Sequence, residues 1–215
     1  MAELKKLFDA IVNGDAKTAV AVTKEALAEN VPPGEIIAKY MIPAMDDVGG
    51  KFECEEYFVP ELLLSGRAMK GALELIRPLL AASGAEPAGG VVIGTVKGDL
   101  HDIGKNLVAS MLEGGGFELH DLGADVSPET FVEAAKAKKA DIVALSALLT
   151  VTMPSMGTTI DAFRQAGIRD SVKIIVGGAP VTRRYAEEIG ADGYSENAGG
   201  AVHLARNFTR AAVTQ

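Results

Sequence analysis

Two residues have the types and spacing for chemistry: Asp99 and His101, in the stretch "GTVKGDLHDIGKN" from Gly94 to Asn106. Residues two apart in an extended loop project to the same side. The carboxylate can then accept the N–H of one imidazole nitrogen, which fixes the tautomer and leaves the other nitrogen free as a base or a metal ligand. Gly98 and Gly104 lack Cβ atoms, so a bulky planar group could approach the backbone there. Leu100, Asp102 and Ile103 complete the loop. The competing reading is a solvated Asp/His turn, because short motifs often match by chance. A conventional zinc site needs three or four ligands, and only Asp99, His101 and Asp102 are local. His120 and His203, the other two of three histidines, have no ligand spacing of their own. A phosphate loop would end in Gly-Lys-Ser/Thr, which this stretch does not, and its acidic pair would repel phosphate.

Two further loops carry hydroxyls and small residues. "LSALLTVTMPSMG" holds Ser146, Leu148, Thr150 and Thr152, and "VGGAPVT" holds Gly177, Gly178 and Ala179. Each by itself is an ordinary strand-to-helix loop. Side by side, the three loops would leave a slot for a long, neutral-polar ligand. Cys54 stands beside Glu55 and Glu56, a poor setting for a nucleophilic thiol.

What would place the loops side by side is a parallel sheet. Apolar strand candidates run Val91–Thr95, Glu118–Leu122, Asp141–Ser146 and Lys173–Gly177, with a weak fifth at Gly193–Tyr194. Helical stretches alternate with them: Ile103–Glu113, Pro128–Lys138, Met156–Ala166, Val181–Ile189 and Ala198–Thr209. Such alternation predicts a doubly wound sheet with helices on both faces, and ligands bind at the carboxyl ends of its strands. The first eighty or so residues read instead as four helices. Leu4, Leu7, Phe8, Ile11 and Val12 recur at helical spacing, and Asp15 can cap the second helix. Met41, Met45 and Met69 fall on core faces. A turn is expected over "GGKFECEEYF", Gly49 to Phe58, before a last helix from Pro60 to Leu80. "AASGAEPAGG", Ala81 to Gly90, is small and unpatterned and reads as the linker. The expected fold class is therefore α/β: a four-helix bundle cap over 1–85, then a flavodoxin/Rossmann-like five-stranded parallel sheet over 86–215.

The composition narrows the function classes. The chain has 215 residues, 48% apolar, with a net charge of −8 that argues against a nucleic-acid surface. One cysteine rules out an intrachain disulfide and fits a reducing, cytoplasmic setting. No apolar run is long enough for a membrane span.

"GDLHDIG", "LSALLT" and "VGGAP", in that order, resemble the cobalamin-binding region of methyl-transferring corrinoid proteins, including cobalamin-dependent methionine synthase. "MDDVGGKFECEEYFVPELLLSGRAMKGAL" resembles the helical cap that precedes that region, so the resemblance covers nearly the whole chain. It implies a cobalamin cofactor (methylcobalamin or another corrinoid, with its cobalt) and His101 as the axial cobalt ligand. Asp99 would hydrogen-bond His101. Thr152 would complete a hydroxyl relay where methionine synthase has serine, and Thr150 would contact the cofactor. The displaced nucleotide tail would run past Ser146, Leu148, Gly178 and Ala198. Phe52 and Val59 would shield the carried methyl group, Val59 standing where the family has leucine. The linker would act as a hinge for the cap.

The function so implied is that of a methyl carrier, a subunit of an enzyme system rather than a complete enzyme. Its partners would be a substrate-specific corrinoid methyltransferase, an acceptor methyltransferase acting on a thiol or tetrahydrofolate, and a reductive activase. A cobalamin-based sensor is the alternative, though no DNA-binding segment is visible. The small domain of a cobalamin mutase would lack the helical cap.

Overall fold

The computed structural model describes residues 3–83 and 87–213. Contacts divide the chain into two compact units: Met1–Pro87 with Ser110–Gly116, and Ala88–Ala109 with Phe117–Gln215. The expected boundary after residue 85 and the centre of the expected linker, 84–86, lie outside the described residues.

In the first unit, helices α1 (Leu4–Val12) and α2 (Ala16–Ala28) are separated by a tight turn. Asp15 caps α2 as the sequence predicts, accepting from the Thr18 amide at 3.0 Å. Helix α3 (Pro33–Ile36) runs through a widened π-turn, Ile37–Met41, into α4 (Ile42–Glu53). Pro43 accounts for that turn. It has no N–H for the carbonyl four residues back, and its ring would crowd it, so the backbone widens rather than breaks. The expected turn over Gly49–Phe58 is therefore shorter than the glycine pair suggests: α4 stays helical through Glu53. Helix α5 (Val59–Ser83) closes the unit. Four helical rods result, with Leu7, Ile11, Met41, Met45, Leu62, Met69 and Ile76 buried among them. The last carbonyl of α1 would otherwise lack an intrahelical donor. Ser65 and Tyr57 hydroxyls donate to that Val12 oxygen at 3.0 Å and 3.2 Å.

The second unit is a five-stranded parallel sheet. Its strands are β1 (Gly90–Thr95), β2 (Glu118–Asp121), β3 (Ile142–Ser146), β4 (Lys173–Gly177) and β5 (Gly193–Tyr194), in the order β2-β1-β3-β4-β5. Helices α6 (Ile103–Gly114), α7 (Pro128–Lys138), α8 (Pro154–Gln165) and α9 (Arg183–Ile189) make the crossovers, and α10 (Ala198–Val213) follows β5. The central strands read as continuous apolar runs because helices cover both faces. Val92, Val143, Ile174, Phe131, Ile160 and Phe163 are fully buried. Gly94 belongs to this core: a Cβ there would lie 2.7 Å from the Phe131 ring.

Candidate functional site

The chain leaves β1 toward β2 on one side and returns to β3 on the other, so the β1/β3 boundary is the topological switch point. The loop that carries Asp99 and His101 begins there. Its backbone is tied down residue by residue. The Val96 amide donates to the Ser146 carbonyl at 3.0 Å, and the Ser155 hydroxyl to the Lys97 carbonyl at 3.0 Å. Gly98 turns with φ of 87°, a conformation open to glycine, and its amide donates to the Asp125 carboxylate at 2.8 Å. The Asp125 amide donates in turn to the Asp99 carbonyl at 2.9 Å.

Asp99 is the hub. It is 1% exposed, yet ionised, because five donors converge on it. One oxygen, Oδ1, accepts from the His101 ring Nδ1 at 2.7 Å and from the His101 amide at 3.3 Å. The other, Oδ2, accepts from the Leu148 and Leu149 amides at 2.8 Å and 3.2 Å and from the Thr152 hydroxyl at 2.6 Å. Burial pushes the carboxyl pKa up. The hydrogen bonds from Thr152, His101 and Leu148 outweigh it and hold the group well below the usual carboxylate range. An ionised carboxylate only accepts, so Nδ1 must carry the proton it shares with Asp99. In the neutral ring Nε2 is then the lone-pair nitrogen. It faces the Ser146 hydroxyl at 3.1 Å.

The structure thus brings Asp99, His101, Ser146, Leu148 and Thr152 into one cluster across two loops. Gly177, Gly178 and Ala179 follow on the next strand end. Gly178 is small for a reason internal to the chain: at φ of 127° its Cβ would lie 1.9 Å from the Ala147 carbonyl. Ala198 is buried at the start of α10, and a Cβ on Gly177 would lie 3.0 Å from the Ser195 carbonyl just before it. Thr150 is exposed in the β3–α8 turn. Asp102 is exposed, and its carbonyl accepts the Asn106 amide at 2.7 Å, an ordinary first-turn helical bond. Phe52, near the end of α4, is half-buried, and Val59 opens α5 with 40% exposure; both belong to the helical unit.

Three residues absent from the motif reading prove structural to the loop. Thr95, fully buried at the end of β1, donates its hydroxyl to the His101 carbonyl at 2.8 Å. Its signal is visible in the chain: a polar residue ending a buried apolar run needs a partner. Asp125 fixes Gly98 as above. Lys105 is 2% exposed, pairs with the Asp121 carboxylate and donates to the Asn106 side chain at 2.7 Å.

The surroundings suit a large, mostly apolar ring system. Leu100, Ile103 and Val151 are 79%, 67% and 81% exposed around the histidine, with Leu148 and Leu149 half-exposed beside them. Such a concentration of exposed apolar residues marks a binding surface. A Cβ on Gly104 would meet nothing within 4 Å, so protein packing does not explain a glycine in the first turn of α6. Among the described residues no cluster of three or more His, Cys, Asp or Glu could hold a metal ion. A cobalt ion already held by a corrin ring needs only one protein nitrogen.

Residues 89–203 match the B12 binding domain family, and residues 3–77 match a second B12 binding domain family. The dimethylamine corrinoid protein of Methanosarcina barkeri is 42% identical over 207 residues, 95% of this chain and 96% of that one. The chain belongs to the corrinoid protein family. The trimethylamine corrinoid protein 1 of Methanosarcina acetivorans is 46% identical over 197 residues, 91% of each. Among solved structures, a chain of the methanol:cobalamin methyltransferase complex MtaBC from Methanosarcina barkeri superposes with a TM-score of 0.84 at 27% identity, covering 96% of this chain and 79% of that one. This corrinoid protein binds cobalamin and is a methyl carrier. Among the described residues, no helix is long and apolar enough to cross a membrane.

Proposed function

We propose that this corrinoid protein binds cobalamin with the cofactor's own dimethylbenzimidazole displaced, and that His101 Nε2 supplies the lower axial nitrogen to cobalt. The observation that carries this reading is the hydrogen-bond hub at Asp99. It ties Nδ1 at 2.7 Å and leaves Nε2 as the lone-pair nitrogen at the switch point of the sheet. Asp99 orients the ring and, by stabilising positive charge on it, strengthens it as a donor. Thr152 holds Asp99 and couples the second loop to the first. Gly98, Leu100, Asp102, Ile103 and Gly104 border the ring. Ser146, Leu148, Thr150, Gly177, Gly178, Ala179 and Ala198 line the course of the nucleotide tail. By family resemblance, Phe52 and Val59 of the helical unit would shield the carried methyl group. Bound cobalamin supplies the centre that accepts and gives up the methyl group; the chain supplies ligation, orientation and exclusion of water.

The methyl donor in this reading is a methylated amine. Its support is the similarity over more than nine-tenths of the chain to proteins named for dimethylamine and trimethylamine. The partners are a methylamine:corrinoid methyltransferase, an acceptor methyltransferase acting on a thiol or tetrahydrofolate, and a reductive activase, in the cytoplasm. The test has two arms. Protein carrying nitrogen-15 histidine, loaded with cobalamin in the cobalt(II) form, should show a histidine nitrogen on cobalt by electron paramagnetic resonance, and His101→Ala should lose it. An unchanged signal with full methyl transfer would sink the ligand assignment. Loaded protein is then offered monomethylamine, dimethylamine, trimethylamine and methanol, each with its methyltransferase. Methylation from methanol alone would overturn the amine assignment.

A further inference from the structure

Thr95 and Ser146 are register partners across the β1/β3 ladder. Partners on neighbouring parallel strands point to the same face, so two hydroxyls stand side by side beneath the loop. Each takes hold of the same histidine. Thr95 donates to the His101 carbonyl at 2.8 Å, and Ser146 Oγ lies 3.1 Å from His101 Nε2. Because Asp99 accepts the Nδ1 proton, the Nε2 lone pair of the neutral ring is an acceptor, and Ser146 must be the donor. No other hydrogen bond of the Ser146 side chain forms among the described residues. The lone pair that would ligate cobalt is therefore already in use within the chain.

We propose that Ser146 is a positioning residue that holds the ligating nitrogen of His101 before the cofactor enters, so that ligation requires its release. This rests on the assignment of His101 as the axial ligand. Three groups then fix His101: Thr95 on its carbonyl, Asp99 on Nδ1 and Ser146 on Nε2. The first two survive ligation. The third competes with it, because a lone pair cannot serve a hydroxyl proton and a cobalt ion together. Holding the ring in place lowers the ordering entropy of ligation, and the same bond must be broken to complete it. Once released, the Ser146 hydroxyl is free to meet a polar group of the incoming cofactor, which makes the exchange a swap of partners rather than a net loss.

Cobinamide, a corrinoid without the nucleotide tail, is the probe, because any contact of Ser146 with the tail is then absent. Wild-type protein and Ser146→Ala are titrated with cobinamide, and histidine ligation is followed by absorbance. Removing a competing hydrogen bond should tighten ligation by roughly two- to tenfold. Equal or weaker ligation by Ser146→Ala overturns the proposal. A second measurement uses the cofactor-free protein: the nitrogen-15 resonance of His101 Nε2 should move toward that of an unbonded lone pair in Ser146→Ala. An unmoved resonance also overturns it. If wild-type protein shows no histidine ligation by cobinamide or cobalamin, the ligand assignment fails instead, and the resonance of the empty protein still decides the Ser146 contact.

Discussion

Replacing Thr152 with valine tests the Asp99 hub. Thr152 is buried, and its single hydroxyl proton has two acceptors: the Asp99 carboxylate at 2.6 Å and the Leu149 carbonyl at 2.8 Å. The charged acceptor is the stronger. Hydrogen bonds to a charged group contribute about 1.5–3 kcal/mol, and the extra buried methyl of valine offsets up to about 0.8 kcal/mol. Asp99 keeps the Leu148 and Leu149 amides at 2.8 Å and 3.2 Å, so the site stays formed. The expected loss is about 1–2 kcal/mol of sheet-unit stability at neutral pH. At a urea slope of about 2 kcal/mol per molar, the midpoint falls by about 0.5–1 M. Amide hydrogen exchange of β1 and β3 in the cofactor-free protein reads the same quantity. The pH dependence has a definite sign. Asp99 has a depressed folded pKa, so its contribution is complete above the unfolded carboxylate value of about 3.9. It is lost as pH falls below that value and through the folded one. In Thr152→Val the folded value is less depressed. The two stability curves therefore run parallel at neutral pH and converge only below about pH 4. A neutral-pH gap of only a few tenths of a kcal/mol, or one that widens on acidification, would refute the account of the hub.

Gly104→Leu should fold like the parent, since its Cβ meets no protein atom within 4 Å, yet fail to take up cobalamin; normal uptake in a binding titration would remove the case for close approach there. Gly178→Ala places a methyl 1.9 Å from the Ala147 carbonyl at positive φ, and should cost at least about 2 kcal/mol in thermal or urea unfolding. The buried pair Lys105–Asp121 should respond asymmetrically, because the Lys105 side chain is 1% exposed and that of Asp121 is 35% exposed. Asp121→Ala leaves the buried ammonium with the Asn106 side chain but no counter-charge and should cost more than Lys105→Met, which removes the charge as well, with urea midpoints ranking the two.

Much of the architecture follows from local pattern. The alternation of apolar runs with helical stretches placed all five strands; the signal is cleanest for β1, β3 and β4, whose buried runs have no polar alternation to blur them, whereas the edge strands β2 and β5 are only partly buried. The capped start of α2 was readable at Asp15, while the cap of α7 at Ser127, whose hydroxyl accepts the Thr130 amide at 3.2 Å, came from the structure. The turn after Gly49–Gly50 was not. Glycine lowers helix propensity by about 1 kcal/mol, and the packing of Met45 and Val48 in the helical core outweighs it.

The sequence by itself determined the residue types of the site and their order. An Asp two before a His, a hydroxyl loop and a glycine pair, each at a strand end, are local features, and a parallel fold gathers its strand ends on one side. Only the tertiary structure decided which groups meet. Asp99 and Thr152 are 53 residues apart, and His101 and Ser146 are 45 apart. Their contacts depend on the β1/β3 register, which no short-range pattern encodes. The register also decided the part of Thr95. As a residue type it is one more β-branched strand former; as the partner of Ser146 it holds the histidine from below. Hydrogen bonds act over about 3 Å, so chemistry at this site waits on a ladder that aligns distant residues to within that distance.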